Sequence, residues 1–141
     1  MCIRDRRQPV AALIDTLTGL VDGFERVARF GWMDTTTAPP PQPPVPAEPR
    51  WLAAAEIPDV AALLAAEHPG SWAQPGYTGV QRWAGVRDGA GVLQAVAAEA
   101  WSGPELGFLA GVATRAATRG RGLGTALCAF LTGELLRGRS R

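Results

Sequence analysis

The run Arg119-Gly120-Arg121-Gly122-Leu123-Gly124 is the stretch of this chain whose residue types and spacing most directly imply chemistry. Three glycines in alternation let the backbone approach a ligand without interference from Cβ atoms. A helix starting at Leu123 leaves its first amides unpaired, and its dipole favours an anion at that end. Arg119 and Arg121 add two cations suited to the oxygens of a diphosphate. The chemistry implied is phosphate binding. Apolar sequence flanks the run, Leu106-Gly107-Phe108-Leu109-Ala110 before it and Leu127-Cys128-Ala129-Phe130-Leu131 after it, and such flanks belong to a folded site. Two blander readings compete: a tight turn capping an ordinary amphipathic helix, and an Arg-Gly tract that touches RNA.

Spacing separates the nucleotide-binding motifs. A Walker loop requires Gly-Lys-Ser/Thr after four spacer residues, and the chain contains no lysine. In the dinucleotide fingerprint Thr125 stands where the third glycine belongs, and no acidic residue follows at the ribose position. What remains is Arg-x-x-Gly-x-Gly after an apolar strand, and over about thirty residues this resembles the GNAT superfamily of N-acetyltransferases. Val112-Ala113-Thr114 corresponds to the end of the fourth strand, Arg119 to Gly124 to the acyl-CoA pyrophosphate loop, and Leu123 to Arg137 to the helix that follows. Ala116 stands where many members carry proline.

The resemblance implies acetyl-CoA as acyl donor and direct attack of an amine on the thioester; with no clustered ligands in the sequence, no metal is expected. Backbone groups of Val112, Ala113 and Thr114 are then expected to pair with the pantetheine arm. Amides of Arg119, Gly120, Arg121, Gly122, Leu123, Gly124 and Thr125 are expected to hold the pyrophosphate. A general base, where the family uses one, is often a glutamate near the third or fourth strand, which leaves Glu99 and Glu105 as candidates beside the plainer reading of each as a solvated or turn carboxylate. The tyrosine that often protonates the leaving thiolate belongs to a later segment, so Tyr77 does not inherit that role. A GNAT-like domain that binds acyl-CoA without catalysis is the alternative.

The elements that must position this loop can be read from periodicity. Arg50-Trp51-Leu52 suits a short first strand, and Pro58 suits the first turn of a helix that carries Val60, Leu63 and Leu64 inward and ends at His68-Pro69-Gly70. Gln81 to Arg87, Val92 to Trp101 and Leu106 to Thr114 read as strands joined by hairpin-type connections at residues 88–91 and 102–105. Ala95, Ala97, Ala98 and Ala100 suit a sheet approached closely by a helix. Leu123, Leu127, Phe130, Leu131 and Leu135 form the stripe that a last helix lays on that sheet. The expected class is α+β: an incomplete GNAT fold with an antiparallel sheet of three to four strands packed with helices.

Ahead of this domain, expected at 50–141, lie three other segments. Residues 1–7 look like a translated sequencing adapter, with the true start upstream. Residues 8–34 hold an amphipathic helix from Pro9 to Phe30, read as the remnant of an upstream region. Residues 35–49 form a proline-rich linker. The chain is also expected to stop short of the fifth strand of the fold, which makes it a fragment.

With 141 residues, 47% of them hydrophobic and 19% charged, the chain supports one modest core. A net charge of +1 argues against a broad nucleic-acid footprint. Exclusive use of arginine, absence of asparagine and abundant alanine read as a GC-rich bacterial coding bias. Cys2 and Cys128 make no disulfide framework or metal motif, and no apolar run is long enough to span a bilayer. The expected setting is the cytoplasm, with a small-molecule or peptide amine as acceptor and neither nucleic acid nor membrane as partner.

Overall fold

A computed structural model describes residues 7–23, 33–137 and 139. The chain divides into two units, Met1–Thr37 and Ala38–Arg141. In the first, helix α1 covers Arg7–Leu20. The expected helix to Phe30 stops earlier, because a turn follows in which Gly23 takes a left-handed φ of 79°. Residues 1–6 of the adapter-like segment and 24–30 of the expected helix lie outside the described residues.

The second unit holds an antiparallel sheet in the order β1 (Arg50–Trp51), β2 (Val80–Arg87), β3 (Leu93–Ala100) and β4 (Leu109–Thr114). Helix α2 (Ile57–Glu67) follows β1, and α3 (Leu123–Leu135) follows β4. Consecutive strands are neighbours throughout: β2, β3 and β4 form a meander joined by short connections, and β1 reaches β2 by way of α2.

All eight residues of β3 are buried because a helix lies over each face. Val96, Ala98 and Ala100 meet Val60, Leu63 and Leu64 of α2 on one side. On the other, Ala95 and Ala97 meet Leu123, Leu127 and Leu131 of α3. Small side chains here permit the close approach that larger β-formers would block. Pro58 sits in the first turn of α2, and the His68 amide closes the helix by donating to the Leu64 carbonyl at 2.8 Å.

The strand ends depart slightly from the periodicity. β3 stops at Ala100 because Trp101 takes a positive φ of 52° while its amide donates to the Gly79 carbonyl. β4 starts at Leu109 rather than Leu106, since Gly103 donates to the Leu106 carbonyl and so closes a turn one residue later than expected. Residues 35–49 form no helix or ladder. Val45 and Ala47 nevertheless pack on the α3 side of the core, so their stretch is built into the second unit.

Candidate coenzyme site

The end of β4, the turn after it and the start of α3 surround an open cleft of about 420 Å³. Thr114 and Thr118 line one side, and Arg119, Gly120 and residues 122–125 line the rest. A 3-10 turn at Ala116–Thr118 brings the chain round, with the Thr118 amide and hydroxyl both donating to the Arg115 carbonyl. This turn forms with alanine at position 116, without the proline common in the family.

The glycines then do what their types require. Gly120 and Gly122 have φ values of 77° and 78°, a left-handed conformation that strains any residue with a Cβ. Gly122 is the N-cap of α3 and supplies no side-chain cap. The first helical hydrogen bond is donated by Ala126 to the Gly122 carbonyl at 2.9 Å. Among the described residues, no hydrogen bond is donated by the amides from Gly120 to Thr125. Consecutive unpaired donors at the positive end of a helix dipole are an arrangement suited to receiving an anion.

β4 feeds this cleft. Thr114 pairs with Ala95 and Ala113 with Val96, but Ala110 pairs with Ala98, so β4 carries one residue more than β3 over that stretch. The bulge lies at Gly111 and Val112, with Gly111 at a φ of 61°. A Cβ on Gly111 would fall 2.8 Å from Cη2 of the buried Trp83, so any side chain there is strained and forces a shift. β4 is the last strand of the sheet order, and its outer edge is the backbone surface next to the loop. Val112, Ala113 and Thr114 therefore lie on that edge and lead straight into the cleft.

The two arginines behave differently. Arg119 turns back: its Nε donates to the Thr114 carbonyl at 3.0 Å and an Nη to Glu67 at 2.8 Å. Arg121 is exposed beside the glycines and has no side-chain partner among the described residues. Of the two, Arg121 is thus the side chain left unengaged among the described residues.

Glu99 and Glu105 are not brought to the loop. Leu109 pairs with Glu99 and Thr114 with Ala95, which puts Glu99 four residues, about 14 Å, back along the strand. Its carboxylate is 3% exposed and bound by Arg82 at 2.7 Å and Arg139 at 2.8 Å. Burial pushes the Glu99 carboxyl up, but hydrogen bonds from Arg82 and Ser102 and the two arginine charges outweigh it, so the group is held below its ordinary range. Arg82 in turn stacks 3.6 Å over the Trp51 ring. The carboxylate is thus buried between two arginines, and it is not the solvated carboxylate of the plainer reading. Glu105 is exposed in the turn between β3 and β4. Cys128 faces partly into the core, where burial pushes its thiol up.

The sequence reading did not single out Gly111 or the Arg119–Glu67 pair. A lone glycine inside a strand is the available signal for the first. The second joins residues fifty-two apart in sequence, and no local pattern announces it.

No family model matches the chain, and no curated protein matches it. Among solved structures, it is similar to a candidate acetyltransferase from the GNAT family of Novosphingobium aromaticivorans DSM 12444. The likeness has 31% identity and a TM-score of 0.55, and it covers 69% of this chain and 45% of that one. The chain has an α+β, GNAT-like fold that corresponds to part of that structure. It spans less than half the length of the solved structure that it resembles. At the level of the superfamily, the likeness supports an acyltransferase type of function. Among the described residues there is no cluster of three His, Cys, Asp or Glu able to hold a metal, and no helix long and apolar enough to cross a membrane.

Proposed function

We propose that this chain carries the coenzyme-binding half of an N-acyltransferase that moves an acetyl or other acyl group from acyl-CoA to an amine. The observation that carries the reading is the set of unpaired amides from Gly120 to Thr125, continuous with the edge of β4. The amides of this loop and the Arg121 guanidinium would hold the two phosphates. The backbone of Val112, Ala113 and Thr114 would align the pantetheine arm. Acetyl-CoA supplies the activated acyl group when bound. The nitrogen lone pair of the acceptor forms the new C–N bond, the C–S bond breaks, and the thiolate takes up the proton that the amine gives up. Alignment itself accelerates such a step, by as much as roughly 7 to 11 kcal/mol in well-oriented systems.

Neither Glu99 nor Glu105 is assigned a role in that proton transfer. The engagement of Glu99 by two arginines favours the second reading, a domain that binds acyl-CoA without turning it over. In the described residues β4 pairs only with β3, so the pantetheine arm would meet a single wall. Weak coenzyme binding and no turnover are therefore expected of this chain alone. The setting we propose is cytoplasmic, with an amine acceptor and neither nucleic acid nor membrane as partner.

The test is a titration of the chain and of Gly124→Glu with acetyl-CoA and with a short RNA. Weak acetyl-CoA binding that Gly124→Glu abolishes supports the reading. RNA retention that is strongly salt-dependent and survives the substitution overturns it. Thiol release by the chain with an added amine would contradict the expected absence of turnover.

A further inference from the structure

The site has a support outside the loop. Glu67 is the last residue of α2, a helix with no basic residue in its final turn. A carboxylate there faces the negative end of the helix dipole, and this one is only 13% exposed. A carboxylate so placed is best matched by a cation beside it. Arg119 supplies the cation at 2.8 Å and at the same time donates through Nε to the Thr114 carbonyl at 3.0 Å. One guanidinium thus ties together the end of β4, the start of the glycine turn and the C-terminus of α2. Exposed ion pairs contribute little on their own. This one differs because one partner is mostly buried and the arginine makes a second bond to backbone.

Resting on the coenzyme-loop reading above, we infer that Glu67 is a positioning residue for that loop, acting through Arg119, and that Arg119 is a strut rather than a ligand of the phosphates. The strut fixes where the left-handed turn at Gly120 begins. It also links the loop to the root of the segment 68–79, where Trp72 and Tyr77 are exposed. A change in that segment would then reach the coenzyme site through Glu67.

The experiment is a double-mutant cycle of Glu67→Gln and Arg119→Gln in the 141-residue chain. It is read first by thermal unfolding without ligand and then by NMR titration with CoA, with Arg121→Gln as a reference. A strut predicts that each single substitution weakens CoA binding by roughly three- to tenfold and that the double variant is no weaker than the worse single. It also predicts coupling between the two sites in ligand-free unfolding, which Arg121→Gln does not share. The inference is overturned if Glu67→Gln leaves CoA affinity unchanged or raises it while Arg119→Gln lowers it, the pattern of a direct phosphate ligand. It is also overturned if the ligand-free cycle shows additive effects. Should the parent chain bind no CoA at all, the coenzyme reading fails, and the unfolding cycle alone decides whether the strut exists.

Discussion

Gly124 and Thr114 are in close contact: a Cβ placed on Gly124 would lie 3.3 Å from Thr114 Oγ1. This docks the first turn of α3 on the end of β4 and brings the helix dipole to the strand edge. We expect Gly124→Ala to leave stability within about 1 kcal/mol, since the gain in helix propensity offsets the tight contact. CoA affinity should fall, because the added methyl stands at the mouth of the cleft. Thermal unfolding and a CoA titration on the same sample check both parts.

The bulge in β4 predicts a larger penalty. Gly111→Ala requires a left-handed φ of 61° for a residue with a Cβ and forces that Cβ against Trp83 and Ala73. A loss of about 2–4 kcal/mol is expected from the two effects together. Denaturant unfolding should show an earlier midpoint with an unchanged slope.

Most of the fold could be read from the sequence because its determinants are local. Pro58 and His68 bracket α2, alternation and turn residues delimit the strands, and the leucine spacing of α3 selects the face that meets Ala95 and Ala97. Side-chain destinations were less legible. Glu99 looked like a solvated carboxylate in an alanine-rich strand, yet Arg82 and Arg139 converge on it from other elements. The place of Arg119 in the motif did not announce its bonds to Glu67 and the Thr114 carbonyl. Val45 lies in a stretch dominated by proline, but its Cγ1 is 3.8 Å from where a Gly122 Cβ would be. Each case turns on a contact distant in sequence.

The anchoring of Glu99 makes a prediction about role as well as stability. Glu99→Gln removes the charge that answers two arginines and should cost about 1–3 kcal/mol. Acetyl-CoA affinity should be unchanged, since the carboxylate sits about 14 Å along the sheet from the loop. A lower unfolding midpoint with an unaltered titration is the expected result.

Acid should destabilise the second unit through Glu56. Its carboxylate takes a two-pronged bond from Arg50, the Ala53 amide and a further bond from Arg87, and together these hold its pKa far below the ordinary 4.5. A carboxyl whose folded pKa is depressed stabilises the fold fully above its unfolded value, and that stabilisation fades as pH falls toward the folded one. Stability should therefore decline below about pH 4.5. Glu56→Gln should lower stability near neutrality and flatten that acid slope. Denaturant midpoints at pH 7, 5, 4 and 3 for both proteins give the comparison.

The central claim is that main-chain donors between Gly120 and Thr125 receive a coenzyme diphosphate. Amide NMR during a CoA titration tests it most directly. The account predicts that the largest shifts, in the direction of new hydrogen bonding, fall on residues 120–125 and that inorganic pyrophosphate reproduces part of them. Saturable CoA binding that leaves those amides unmoved while shifting others would contradict it.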